Sequence, residues 1–186
     1  FIKNFKASQD FKPSFFGILV NPYFIVRYNI FKGIKKFSSD FNKGSLLDFG
    51  CGSKPYESLF KVEKYIGLDT NQSGHSHKNE KIDVLYDGKK IPFDDNHFDY
   101  IFSSEVLEHV FNIDEIISEL NRVLKNDGKI LITLPFVWGE HEQPYDYARY
   151  TSFGLKNILE NNGFEIIDHI KTTNFIETIF QSLTSY

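Results

Sequence analysis

Two glycines that alternate directly after a short apolar run constrain this chain more than any other feature. The run Leu46–Phe49 contains one acid, Asp48, and it leads into Gly50 and Gly52. The run predicts a buried parallel strand. The glycines predict a turn whose backbone approaches another group closely, because glycine has no Cβ and adopts positive φ at little cost. The next predicted strand ends in Asp69, where open α/β sheets bind the ribose of a nucleotide-like ligand.

Predicted strands and helices alternate from residue 45 onward, which is typical of a parallel sheet with crossover helices. We therefore expect an α/β fold, a Rossmann-like, doubly wound and mostly parallel sheet with helices on both faces. The predicted strands are 45–49, 64–69, 81–86, 98–103, 129–134 and 164–170. No final antiparallel strand is predicted after Ile170. This leaves open whether the chain is truncated or a neighbouring subunit completes the sheet edge.

One helix is especially clear between the fourth and fifth predicted strands, where apolar residues recur on one face. Asn112 and Glu115 predict a capping box at its start, and Gly128 predicts its end. Thr151 or Ser152 is predicted to cap a further helix.

Residues 1–44 are aromatic and basic, and we expect them to form an extension that precedes a domain at 45–186. Apolar residues at helical spacing over 23–37, with lysines between them, predict an amphipathic, positively charged helix. The pattern favours packing on the sheet edge. Covering the ligand cleft and contacting an anionic membrane surface are the alternatives.

Charge and cysteine content exclude several classes of partner and site. The net charge of −4 argues against a nucleic-acid partner, which requires a basic face. The single cysteine, Cys51, cannot form an internal disulfide and fits a reducing, cytoplasmic compartment. No signal peptide and no membrane span is predicted, and no metal site. The absence of methionine leads us to expect that the sequence begins after the natural start. The oligomeric state is open, with a homodimer as one alternative.

Five motifs follow one another along residues 45 to about 170. They are Leu46-Leu47-Asp48-Phe49-Gly50-Cys51-Gly52, Gly67-Leu68-Asp69, Asp87 with Ile91-Pro92-Phe93, Phe98-Asp99-Tyr100-Ile101 running into Glu105-Val106-Leu107-Glu108-His109-Val110, and the segment 122–132. This order resembles the class I S-adenosylmethionine-dependent methyltransferases. A dinucleotide pattern would need a third glycine at Lys54 or Pro55, and neither is one.

The resemblance implies that S-adenosyl-L-methionine is the cofactor. Gly50 and Gly52 would approach its amino-acid portion, Asp69 would accept hydrogen bonds from the ribose hydroxyls, and Asp87 would accept one from the adenine amino group. Glu105 would line the cleft near the transferable methyl group. The implied cofactor-binding set is Asp48, Gly50, Cys51, Gly52, Asp69, Asp87 and Glu105.

The acceptor side is expected in the loop 138–150, after the fifth strand. This loop resembles that of methyltransferases from bacterial surface-glycan pathways. His141 is the candidate base because imidazole ordinarily titrates near neutral pH. A salt-bridged loop histidine is the alternative, and His109 is interpreted as structural. The candidate substrate-binding residues are Trp138, Tyr145, Asp146, Arg149 and Tyr150, of which Asp146 and Arg149 could instead pair with each other.

Together these features predict a methyltransferase that acts on a small-molecule or glycan acceptor by O-methylation. A nicotinamide-dependent oxidoreductase of the Rossmann type and a non-catalytic cofactor-binding module are the alternatives.

Overall fold

A five-stranded, all-parallel sheet forms the centre of the fold in a computed structural model, which describes residues 9–70 and 81–185. The strands are β1 (Ser45–Phe49), β2 (Lys64–Thr70), β3 (Val84–Tyr86), β4 (Phe98–Ser104) and β5 (Leu124–Thr133). Their order is β3-β2-β1-β4-β5, so the winding reverses between β1 and β4. This arrangement confirms the predicted Rossmann-like fold.

Four α-helices have both ends in the described part of the chain, and three of them lie where the sequence predicted helices. They are α1 (Phe24–Phe37), α2 (Ile113–Val123), α3 (Ser152–Asn161) and α4 (Phe175–Thr184). Thr151 caps α3, because its side chain accepts a hydrogen bond from the Gly154 N–H. None of these helices is long and apolar enough to cross a membrane.

The core forms between the sheet and the apolar face of α2. Leu47 and Phe49 of β1 are buried together with Ile117 and Leu120 of α2. The positions on α2 recur at three- and four-residue spacing, so they share one face of the helix. Burial of such aliphatic side chains stabilises the fold by about 1.5–3 kcal/mol each. This packing fixes the carboxyl ends of the strands at one edge of the sheet.

The predicted strand 164–170 is wrong, since no residue in it belongs to a strand. Phe164 and Ile166 pack on the core, whereas Ile167 is 80% exposed. The apolar residues of this segment therefore pack on one side without the hydrogen-bonded neighbour that makes a strand. The third predicted strand also begins later than expected, at Val84.

The junction between α2 and β5 also differs from the prediction. The helix ends at Val123 and β5 follows at once, so Gly128 does not end the helix and instead lies within β5. The register passes from Phe98 opposite Leu124 to Tyr100 opposite Lys129, which makes an irregularity in the ladder. At the start of α2 the Asn112 side chain makes no backbone cap, so the predicted capping box is wrong.

The connection from β1 to β2 contains no α-helix. Within residues 50–63 the structure has only the three-residue 3-10 helix Glu57–Leu59. This connection therefore departs from the alternation of strands and helices that the sequence predicted. The glycine turn after β1 leads into an irregular loop instead.

The chain divides into two compact units. One contains the described parts of Phe1–Asp40, Pro55–Phe60 and Asp168–Tyr186, and the other contains Phe41–Lys54 and Lys61–Ile167 with the whole sheet. In the first unit Gln181 of α4 donates to Pro22 O at 2.9 Å. The predicted boundary near residue 44 stays a prediction, and residues 1–8 of the predicted extension lie outside the described residues.

Candidate active site

The candidate site lies at the carboxyl ends of β1 and β4, where the strand order reverses. Open α/β sheets bind ligands in the crevice at such a switch point. The glycine turn follows β1, and the segment that begins at Glu105 follows β4. All the residues described below belong to the unit that contains the sheet.

The two glycines of the turn are required for different reasons. Both have positive φ, +73° at Gly50 and +46° at Gly52, a region that other residues adopt only with strain. A Cβ at Gly50 would lie 2.5 Å from Val106 Cγ1, so packing excludes a side chain there. A Cβ at Gly52 would have no heavy atom of the described residues within 4 Å. The turn at Gly52 therefore borders open space that a ligand can enter.

A buried carboxylate holds the glycine turn against the end of β2. Asp69 accepts a hydrogen bond from the Gly52 N–H at 2.9 Å and another from the Thr70 N–H at 2.8 Å. Its side chain is buried. The structure thus brings together two of the residues that the sequence predicted for cofactor binding.

Asp48 and Cys51 are buried beneath the same turn. Asp48 accepts a hydrogen bond at 2.7 Å from the hydroxyl of Tyr65 on β2. Burial, followed by the charges of Asp48 and Asp69, raises the pKa of the Cys51 thiol well above its usual range. The thiol therefore stays protonated at neutral pH, which excludes a nucleophilic thiolate.

An ion pair between a lysine and an aspartate lies on the outer side of the turn, and the sequence did not indicate this contact. The Lys54 ammonium pairs with Asp83, and Asp83 also accepts the Gly67 N–H at 2.7 Å. A Cβ at Gly67 would lie 2.6 Å from Cys51 Sγ. A glycine within β2 is therefore needed for the turn to pack against the strand.

Asp87 and Ile91 follow β3 and differ in exposure. Asp87 is exposed, and its side chain accepts the N–H groups of Lys89 and Lys90, which lowers its pKa. Ile91 is fully buried, and its N–H donates to Glu119. Asp87 thus caps the turn after β3, and its role towards adenine stays a prediction.

Glu105 holds an unusual backbone conformation just after β4. Its φ of +56° is sparsely populated for a residue with a side chain. Thr133 on β5 supports it, because the Thr133 hydroxyl donates to Glu105 Oε1 at 2.8 Å and the Glu105 N–H donates to Thr133 O at 3.0 Å. This conformation turns the chain from β4 into the short 3-10 helix Leu107–His109.

Glu108 and His109 of this short helix face the loop after β5. The Glu108 side chain is 1% exposed, and its carboxylate has no hydrogen-bond partner among the described residues. Burial, followed by the charge of Glu105, raises the pKa of Glu108 to about 8. His109 Nδ1 lies 2.8 Å from Tyr145 O, and its Nε2 lies 3.7 Å from Glu108 Oε1.

The loop 138–150 is organised around an arginine–aspartate pair. Arg149 donates to both carboxylate oxygens of Asp146 at 2.6 and 2.7 Å, which holds the pKa of Asp146 far below its usual range. Asp146 Oδ2 accepts the His141 N–H at 2.9 Å and lies 3.2 Å from His141 Nδ1. The His141 and His109 rings meet edge to face with centroids 4.8 Å apart. The structure therefore confirms that Asp146 and Arg149 pair with each other.

The aromatic candidates of this loop are partly accessible. Trp138, Tyr145 and Tyr150 are half-buried. Burial, followed by the charges of Asp114 and Glu108, raises the pKa of Tyr150. Their roles towards a substrate stay predictions.

The sequence predicted a structural role for His109 and no role for Glu108, yet both face the loop that contains His141. Both follow β4 directly, and the loop that contains His141 follows β5, the strand next to β4. The carboxyl ends of neighbouring parallel strands lie side by side, so this order along the chain was the available signal. It placed the two segments at one edge of the sheet.

Comparisons with known proteins match this geometry. A family model described as a methyltransferase domain matches residues 25–169. Phosphoethanolamine N-methyltransferase 2 of Caenorhabditis elegans is 29% identical over 169 residues, which are 82% of this chain and 37% of that protein. A ubiquinone biosynthesis O-methyltransferase of Pelagibacter ubique is 33% identical over 120 residues, 58% of this chain and 49% of that protein.

A solved structure supports the fold. The chain superimposes on an S-adenosylmethionine-dependent methyltransferase from Mesorhizobium loti with a TM-score of 0.62 at 12% identity, covering 87% of this chain and 93% of that one. The chain spans less than half the length of the two curated relatives described above.

Proposed function

The chain belongs to the class I S-adenosylmethionine-dependent methyltransferases, and from this premise we propose that it methylates a hydroxyl group of a small-molecule acceptor of the saccharide class. One observation carries the proposal most directly. The open glycine turn is bonded to the acid that ends the next strand, through the Gly52 N–H and Asp69, beside the switch point of the sheet. This membership decides against the nicotinamide-dependent oxidoreductase.

The residues of the turn fit S-adenosyl-L-methionine, the cofactor of this family. Asp48 lies buried beneath the turn and Asp69 beside it, so the local charge is negative. Negative charge suits a ligand with ammonium and sulfonium groups and disfavours a pyrophosphate. When bound, the cofactor supplies a methyl group on a positively charged sulfur that keeps the bonding electrons. Gly52 leaves room for this ligand. Glu105, which follows β4, is proposed to line the cleft near the methyl group.

The acceptor side is proposed to be the loop 138–150, with His141 as the residue that handles the proton of the acceptor hydroxyl. That oxygen forms the new bond to carbon and loses its proton as it does so. Asp146 fixes the orientation of the imidazole, and Arg149 in turn fixes Asp146. A histidine oriented by a carboxylate is the usual arrangement for proton transfer.

The saccharide class follows from the composition of this loop. Trp138 and Tyr145 offer aromatic faces that pack on the apolar faces of sugar rings, and both are half-buried, so part of each side chain is accessible. One relative is named for phosphoethanolamine and the other for ubiquinone biosynthesis, so the two names point to different acceptors. Both names refer to small molecules, which supports a small-molecule acceptor for this chain.

Two measurements test this proposal. Calorimetry should show that the protein binds S-adenosylmethionine, and a panel of free and nucleotide-linked sugars should reveal methyl transfer by mass spectrometry. His141→Ala should lower turnover by about 10²–10⁴-fold and leave cofactor affinity unchanged. His169→Ala, at an exposed histidine, is the matched control.

Cofactor binding without transfer to any acceptor of the panel would favour the non-catalytic module instead. Absence of cofactor binding would contradict the proposal itself. The membrane contact of the N-terminal segment, the homodimer and the cytoplasmic location remain predictions.

A further inference from the structure

Three side chains with metal-binding atoms converge between the segment after β4 and the loop after β5. One ligand atom each from Glu108, His109 and His141 lies within 4.8 Å of the other two. These residues come from two separate parts of the chain, so sequence proximity alone does not explain their meeting. Among the described residues no other group of this kind is found.

The two histidines are held as metal-binding histidines usually are. Such a histidine binds the metal through one ring nitrogen, and a carbonyl or carboxylate fixes the other. His109 Nδ1 lies 2.8 Å from Tyr145 O, which directs its Nε2 towards Glu108. His141 Nδ1 lies 3.2 Å from Asp146 Oδ2 and 3.3 Å from Gly139 O, which leaves its Nε2 to bind a ligand.

The Glu108 carboxylate is the independent observation that points to a ligand. It is buried, and neither oxygen has a hydrogen-bond partner among the described residues. A buried carboxylate without such partners is costly in its ionised form, and a bound cation would remove that cost. His109 Nε2, at 3.7 Å from Glu108 Oε1, is too distant for a hydrogen bond and close enough to share a cation with it.

We propose that Glu108, His109 and His141 bind one divalent transition-metal ion, with Zn²⁺ as the best-suited metal. Two imidazoles and a carboxylate form a set that zinc accepts, whereas Mg²⁺ and Ca²⁺ prefer oxygen ligands only. Zinc ligands at about 2.0–2.2 Å from the metal stand roughly 3.4 Å apart in a tetrahedron. The separation of 3.7 Å between Glu108 and His109 is close to this value, and the ligand atom of His141, within 4.8 Å of both, would move closer when the metal binds.

The surrounding charges permit a cation at this place. Arg149 Nη2 lies 3.3 Å from His141 Nδ1, yet its positive charge is balanced by the two hydrogen bonds to Asp146. Glu142 Oε2 lies 3.9 Å from His109 Nε2 and adds negative charge on the other side. Glu105 contributes further negative charge near Glu108.

Three protein ligands leave at least one coordination position open, as in catalytic zinc sites. The consequence for catalysis rests on the proposed function above. His141 would then act through the metal and not as the base itself: the open position would hold the acceptor oxygen and lower the pKa of its hydroxyl, and the proton would pass to water. Metal binding itself does not depend on the identity of the acceptor.

Calorimetric titration of the chelator-treated, untagged full chain with Zn²⁺ tests the proposal, with Co²⁺ absorption as a second readout. We expect one Zn²⁺ per chain and Co²⁺ bands typical of a site with nitrogen and oxygen ligands. His109→Ala and Glu108→Gln should each weaken Zn²⁺ binding at least tenfold, whereas His169→Ala should leave it unchanged. A large excess of Mg²⁺ should not compete.

Cofactor binding by each variant reports whether it folds. If the folded wild-type chain binds no stoichiometric Zn²⁺, or if His169→Ala weakens binding as much as His109→Ala does, the metal site is refuted. A chain that binds Zn²⁺ but neither S-adenosylmethionine nor any acceptor would refute the proposed function and leave the metal site standing.

Discussion

Replacing Gly50 by alanine should destabilise the protein by two separable effects. The alanine would have to keep φ near +73°, which costs about 1–2 kcal/mol for a residue with a side chain. Its Cβ also meets a neighbour. It would lie 2.5 Å from Val106 Cγ1, and such overpacking costs about 1–3 kcal/mol. Reduced entropy of the unfolded chain offsets roughly 0.4–1 kcal/mol. We therefore expect the free energy of unfolding to fall by about 1–4.5 kcal/mol.

Gly52→Ala provides the matched control, because it adds the same atom at positive φ with open space around it. It should lower the free energy of unfolding by only about 1 kcal/mol. Val106→Ala removes both γ-carbons that the new Cβ would meet, so Gly50→Ala should cost less in that background. The double-mutant cycle should give a coupling energy of about 1–2 kcal/mol. Urea unfolding of the wild-type chain and the four variants measures these values.

Equal destabilisation by Gly50→Ala and Gly52→Ala would refute this reasoning, as would a coupling energy near zero. The cycle also bears on function. Val106 directly precedes Leu107–His109, so a displaced Val106 should disturb Glu108 and His109. Gly50→Ala should therefore weaken Zn²⁺ binding more than Gly52→Ala does.

Three further predictions concern the cofactor, pH and membranes. Asp69→Asn should weaken S-adenosylmethionine binding by about 1.5–3 kcal/mol, the range of hydrogen bonds to a charged group, and an unchanged dissociation constant in calorimetry would contradict the assignment. Hydrogen bonds from Lys125 and the Ser45 N–H lower the pKa of Asp99 from 3.8 to about 2, so this carboxylate stabilises the fold above pH 4 and the contribution disappears between pH 4 and 2. Asp99→Asn should thus lower the urea concentration at the unfolding midpoint at pH 7 and have little effect on it near pH 2. If α1 contacts membranes, reversing the charge of Lys35 and Lys36 should weaken binding to anionic vesicles by about 1 kcal/mol for each residue. Equal sedimentation of the variant and the wild-type chain with these vesicles would exclude that role.

Apolar runs and glycine placement were sufficient to predict the central strands of the sheet. β1 and β4 match their predicted positions within a residue, because buried parallel strands are continuous apolar runs. The segment 164–170 failed for a physical reason. Apolar residues indicate which side chains can be buried, and they say nothing about whether a neighbouring backbone is present to pair with.

The candidate site was predictable in part. Glycines and acids at strand ends have local signatures, so Gly52 and Asp69 were found from the sequence. The contacts of Glu108 depend on a loop more than thirty residues later, and no local pattern reports how such a loop folds back. The pair of Lys54 and Asp83 was missed for the same reason, since it joins a turn to a residue 29 positions away.

The ion pair between Lys54 and Asp83 makes the Lys54 side chain a reporter of the opening of the glycine turn. Its side chain is only 6% exposed and its ammonium is paired, so it should react slowly with amine-acylating reagents while exposed lysines such as Lys129 react at once. Its labelling rate would then follow how often the turn opens. Mass spectrometry of the acylated protein would measure that opening in the intact chain, without a bound ligand and without any assay of turnover.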